Sequence, residues 1–151
     1  MDLCISTTLD LFRDVYRNLD DEVQGLSDEE LTWTPAPDTN SIAVLVVHTI
    51  GSAEEVIRVV RGLTSDRNRE AEFIPNDLSE QALRARLAAA LRFLDDTATG
   101  ITTEDLAATH ERPNRNPHTG MFWLLNNYGH AREHLAHIQL TKQLYAQAHG
   151  S

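Results

Sequence analysis

Apolar residues recur at three- and four-residue steps through four stretches of the chain, and the sequence turns polar between them. Leu9, Leu11, Phe12, Val15, Tyr16 and Leu19 trace one side of a helix, which predicts α-helix from about Ser6 to Val23. The segment LSDEELTWTPAPDTNS then breaks the pattern with prolines and turn-forming polar residues. Asn40 or Ser41 can cap a second helix, which carries Ile42, Leu45, Val46, Val56, Val59 and Val60 and ends at Arg61–Gly62. After the polar run TSDRNREAEFIPND, Asp77 and Glu80 stand at capping-box spacing. They predict the start of a third helix bearing Leu83, Leu87, Leu91 and Leu94, which stops near Gly100. A second polar loop, HERPNRNPHTG, leads into a last helix from about Thr119 to Ala148, interrupted only by Gly129. No alternating pattern is long enough to predict a strand.

Four amphipathic helices of about 17 to 30 residues bury their apolar sides most economically as a bundle. The expected fold is therefore all-α, a four-helix bundle with long inter-helix connections. Those connections are long enough for crossovers, so simple up-down order is not implied. A chain of 151 residues fits one domain, 1–151, and can bury a real core. No apolar run approaches the roughly 18 residues of a membrane span. The acidic opening MDLCISTTLDLFRDV lacks the basic start of a secretory signal, and Cys4 is the single cysteine. Both point to a reducing cytoplasm. A net charge of −10 argues against nonspecific binding to nucleic acid or to an anionic membrane.

Candidate chemistry enters with the histidines. His130, His134 and His137 fall within about 60° of one another around the last helix. The i, i+4 pair His130/His134 lets two imidazoles on adjacent turns reach one metal ion, and His134/His137 at i, i+3 is a second possible pair. One helix supplies two such ligands comfortably, so a third should come from elsewhere. His48, on the apolar second helix, is the candidate. Trp123, Asn126, Asn127 and Thr141 share the histidine face of the last helix. Leu124, Leu135 and Ile138 border it on one side, and Leu140 and Leu144 on the other, so the polar stripe is expected to point inward. Buried polar groups need partners, and three neutral imidazoles with an open fourth position make a divalent-metal site suited to Zn or Ni. The ordinary alternative for each is a core histidine hydrogen-bonded to a carbonyl or carboxylate. His110 and His118 lie in the polar loop and are expected to be solvated, and His149 belongs to a frayed terminus.

HAREH also fits H-x-x-E-H, the inverted zinc-protease signature, with Glu133 as general base. That family needs a further acidic ligand downstream, and no Asp or Glu follows Glu133. Peptidase chemistry is thus disfavoured.

With these residues placed, the chain resembles the DinB-like (DinB/YfiT) superfamily of metal-binding four-helix bundles. LTWTPAPDTNSIAVLVVHTIGSAEEV resembles the family's opening to its second helix, with a histidine near its middle, and HAREHLAHI resembles its H-x-x-x-H on the last helix. By that resemblance His48, His130 and His134 are the metal triad. Where many members continue with a glycine–glutamine pair, this chain has Ala136, His137, Ile138 and Gln139. The resemblance implies an up-up-down-down-like bundle, a divalent metal and a homodimer. It also implies a function among relatives that use small thiols such as bacillithiol or mycothiol as S-transferases or isomerases. In that reading Trp33, Trp123, Asn126, Asn127 and His137 shape a cofactor pocket; for hydrolysis by a metal-bound hydroxide at the same site, Glu55 or Glu133 is the candidate base. A noncatalytic metal- or small-molecule-binding module is the alternative, and a metal-dependent hydrolase using the same ligands is a lesser one.

Overall fold

Hydroxyl caps decide where the long helices begin. In the computed structural model, which describes residues 2–150, Ser41, Ser79 and Thr119 each sit in extended backbone. Their side chains accept from the backbone N–H groups of Val44, Ala82 and Phe122, satisfying donors the first helical turn leaves free. The helices are α1 (Leu3–Val23), α2 (Asp28–Thr32), α3 (Ile42–Val60), α4 (Glu80–Asp96), α5 (Thr103–Ala107) and α6 (Gly120–His149). Two 3-10 turns, Glu70–Phe73 and Ala98–Gly100, lie in the connections. Of the expected domain 1–151, Met1 and Ser151 lie outside the described residues.

Several expectations need correction. Asp77 does not open α4: it accepts from the Ser79 backbone and hydroxyl and so orients Ser79, which is the cap. Gly129 does not interrupt α6, which runs unbroken through it. Strand is present in the form of β1 (Thr109–His110) and β2 (His118–Thr119), paired antiparallel and too short to leave an alternating pattern. The short α2 and α5 also went unseen, although each carries a capping box, Ser27 with Glu30 and Thr102 with Asp105.

The four long helices pack in a ring in which α1 and α3 each touch both α4 and α6. Side-chain contacts give their directions. Asp20 meets Arg84 while Arg13 meets Asp95, so α1 and α4 are antiparallel. Phe12 meets Tyr128 while Glu22 meets Lys142, so α1 and α6 run parallel. His48 meets His130 while Ser52 meets Asn127, so α3 and α6 are antiparallel. Arg58 lies over Phe93 and Arg61 donates to the Thr97 carbonyl, so α3 and α4 are parallel. The order is therefore up-down-down-up, not the up-up-down-down order expected.

This topology has a consequence for the connections. Joining the parallel α3 and α4 requires the chain to travel back along the bundle, a helix length of about 25 Å. Residues 61–79 make that return and pass over the first half of α3. The core itself is a continuous apolar cluster fed by all four long helices, with Phe12, Tyr16, Leu19, Leu83, Leu87, Leu94, Leu124 and Ile138 fully buried. The apolar border on α6 is one-sided: Leu124, Leu135 and Ile138 are inside, while Leu140 faces outward at 52% exposure.

Candidate metal centre

Three imidazoles converge where α3 crosses α6. His48 comes from the buried middle of α3, and His130 and His134 come from adjacent turns of α6. His48 Nε2 and His130 Nε2 are 3.2 Å apart, and one nitrogen from each of the three rings lies within 4.8 Å of the others. Ligand nitrogens around a tetrahedral ion with bonds of about 2.0–2.1 Å stand about 3.3 Å apart, so the cluster is of the right size. The stronger indication is His134. Both of its ring nitrogens are buried, and among the described residues neither has a hydrogen-bond partner. A buried imidazole with both nitrogens orphaned is costly unless something electron-poor takes a lone pair.

The protonation states agree. Burial, with His130, His48 and His137 adding their repulsion, pushes His134 down to about 4. Burial and the neighbouring His48 also lower His130. Both rings are therefore neutral at neutral pH, the form that ligates a metal. Three neutral nitrogens suit a borderline divalent ion.

His48 is oriented from behind. Its Nδ1 lies 3.0 Å from Glu72 Oε1, so a proton on Nδ1 is donated to the carboxylate and the Nε2 lone pair faces the cluster. Glu72 is delivered by the return crossover, on its 3-10 turn. Burial opposes ionisation of Glu72, but hydrogen bonds from Arg67 and His48 outweigh it and hold its pKa below the usual range. Arg67 grips it with both ends of the guanidinium, Nε to Oε2 at 2.9 Å and Nη2 to Oε1 at 2.8 Å. Gly51 makes room for this carboxylate, since a Cβ there would collide with it. Glycine inside a helix costs roughly 0.5–1 kcal/mol relative to alanine, and here the close approach explains it.

A second carboxylate ties the loops together. Glu55 Oε2 accepts from Arg67 Nη1 at 2.9 Å and from Arg112 Nη2 at 2.6 Å. Arg112 belongs to the loop between β1 and β2 and lies over the Trp123 ring, 4.9 Å from its centroid. A cavity of about 670 Å³ opens outward from His48 and His130 between these loops. That is the size of a small-metabolite site.

The remaining expected site residues divide. Glu55, Asn126, Asn127 and Glu133 line the cavity together with His48 and His130. Asn127 donates to Ser52 at 2.8 Å, which leaves its buried amide oxygen without a partner among the described residues. Trp123 is buried behind the wall, where Nε1 donates to the His110 carbonyl. His137 is exposed; its ring centroid is 5.7 Å from that of His134, and it lies outside the converging group. Trp33 does not shape this cavity, which corrects that expectation. It packs edge-on against Tyr145 at the far end of α6, because the 24–41 connection crosses there. His110 and His118 are not free loop residues: they pair across β1 and β2, and His118 stacks on Phe122. His149 ends α6 stacked on Tyr145.

Glu72, Arg67 and Arg112 were not found from sequence. They sit in polar loops with no periodicity, and nothing local distinguishes them from solvated residues. The one usable signal was Gly51, a glycine in an otherwise apolar helix.

No curated protein matches the chain. Its fold is similar to that of a conserved protein from Enterococcus faecalis, with a TM-score of 0.77, 16% identity, and 95% and 97% of the two chains covered. It is similar also to a DinB-like protein from Bacillus cereus, with a TM-score of 0.69, 18% identity, and coverage of 92% and 91%. The DinB superfamily model matches residues 11–138, a span that includes all three converging histidines and the whole return crossover. The chain belongs to the DinB superfamily.

Proposed function

We propose that this protein is a divalent-metal enzyme that activates a small thiol for transfer to, or isomerisation of, an electrophilic metabolite. The observation that carries the reading is His134, with both nitrogens buried and unpartnered beside His48 and His130, which themselves line an open cavity. His48, His130 and His134 would hold the ion, which when bound lowers the pKa of a thiol or water placed next to it. Glu72 keeps the proton on His48 Nδ1, and Arg67 keeps Glu72 ionised. Asn126 and Asn127 line the space a substrate would occupy.

A hydrolase is the second reading. It is favoured by Glu133, which lines the same cavity next to His134 in sequence and would serve as the base that takes a proton from water.

Elemental analysis of the purified protein, paired with assays of thiol-plus-electrophile mixtures and of activated esters, tests both. Near-stoichiometric metal is expected, lost in His130→Ala and His134→Ala together with thiol-dependent turnover. Metal with ester hydrolysis alone selects the hydrolase, and metal with neither activity leaves a binding module. Negligible metal, with both variants indistinguishable from the parent, rejects the metal site.

A further inference from the structure

The cavity is basic in an acidic protein. The chain carries 13 basic side chains against 23 acidic ones, yet four arginines, Arg67, Arg69, Arg112 and Arg115, line this one opening. They divide into two kinds. Arg67 and Arg112 are neutralised by Glu55 and Glu72 and serve to pin the two loops. Arg69 and Arg115 are exposed, and among the described residues neither has an acidic partner. Arg69 is steadied over the Phe73 ring, its guanidinium carbon 4.9 Å from the centroid.

Arg115 is held by a turn. Its N–H donates to the Arg112 carbonyl at 3.2 Å, with Pro113 second and Asn114 third at φ 60°. Proline followed by a left-handed asparagine is the combination a type II turn selects, so the backbone fixes Arg115 beside Arg112 at the mouth. Glu55, bonded to Arg67 and Arg112 together, sets the two loops facing one another. Counted against Glu55, Glu72 and the rim carboxylate of Glu133, the four arginines leave one positive charge, before a divalent ion adds two. A cleft of net positive charge within an acidic protein attracts small anions.

We propose that Arg69 and Arg115 form an anion subsite at the mouth of the metal cavity, which takes the carboxylate of a small molecule whose other end reaches the histidines. Guanidinium forks match carboxylates in geometry as well as charge. The inference deepens the thiol reading above and rests on it only for the identity of that other end.

Calorimetric titration of the purified, metal-containing protein at fixed ionic strength tests it, with mercaptosuccinate, 2-mercaptoethanol and succinate as titrants. Mercaptosuccinate is expected to bind about tenfold or more tightly than 2-mercaptoethanol, as charge-assisted hydrogen bonds would give. Arg69→Gln combined with Arg115→Gln should erase that preference and the binding of succinate. Metal content and 2-mercaptoethanol affinity should be unchanged. Equal affinity for the two thiols, or a preference that survives in the double variant, overturns the subsite and leaves the thiol reading standing. If mercaptosuccinate binds no better than succinate, the thiol reading fails instead; arginine-dependent succinate binding then still supports the subsite, and its absence removes it.

Discussion

Where α1 packs on α4, the two helices carry Phe12, Val15, Leu19, Leu83, Leu87 and Leu94 into the core, all buried. Charges stand only at the edges of this interface, as Arg13–Asp95 and Arg84–Asp20. Where α3 packs on α6, the same kind of crossing contains His48, Ser52, Asn127, His130 and His134. On α1 the buried Tyr16 hydroxyl, without a hydrogen-bond partner among the described residues, is a neutral group that burial keeps protonated. Two helices need only apolar surface to pack, so the first interface follows from the hydrophobic effect alone. The second gives up part of that gain: Glu72, backed by Arg67, satisfies His48 Nδ1, while both His134 nitrogens and the Asn127 amide oxygen are left without a partner among the described residues. Stability and chemistry have been assigned to different sides of one bundle. The polar side is placed where two loops, and not solvent alone, cover it.

The separation can be broken most strongly from the apolar side. Phe12→Ala should cost about 3–5 kcal/mol in denaturant unfolding, through lost burial and an unfilled cavity, while metal per folded chain stays constant. A fall in metal content of the folded fraction would show that the two sides are coupled after all. The reverse experiment perturbs the shell. Gly51→Ala forces the Glu72 carboxylate off its position, and metal affinity measured by competition with a chelator should fall about 10- to 100-fold, as losses behind a histidine ligand do. Glu72→Gln should fall in the same range, and unchanged affinity in both would mean His48 needs no orientation from behind.

A pH titration sharpens the contrast for metal-stripped protein. His134 has a folded pKa of about 4, and burial lowers His130 as well, both below the ordinary value of 6.5. The unfolded chain therefore binds more protons than the folded one between those values. The stability tied to these rings is complete above about 6.5 and is lost as pH falls towards 4. His134→Ala should flatten that part of the profile, and an identical slope in the variant would contradict the assignment. The smallest effect belongs to the edge of the apolar seam. Arg13→Ala removes a partly exposed ion pair and should change stability by less than about 1 kcal/mol, with sensitivity to salt.

Much of this was legible in the chain. Repeats of apolar residues placed the four long helices, since an amphipathic helix writes its buried face at a fixed period. The i, i+4 spacing of His130 and His134 put both on one face for the same reason, and His48, a histidine on an apolar helix, is the third ring that meets them. Leu140 shows the limit: periodicity marks a side of the helix but not how far the neighbour extends over it. Trp33 shows another, because an aromatic residue in an irregular connection carries no directional information. Capping residues were legible to within two positions, with Ser79 and not Asp77 chosen by which oxygen reaches the third N–H.

The sequence by itself determined the all-α class, the helix faces and the three histidines, all of which depend on local spacing along one chain. The tertiary structure alone decided the up-down-down-up order, and with it the return crossover that a parallel α3–α4 pair demands. Only that crossover brings Glu72 to His48, 24 residues away in sequence. Arg112 likewise reaches Glu55 across 57 residues. Such contacts between distant loops have no period to read, because they are fixed by how the helices are connected and not by any one helix.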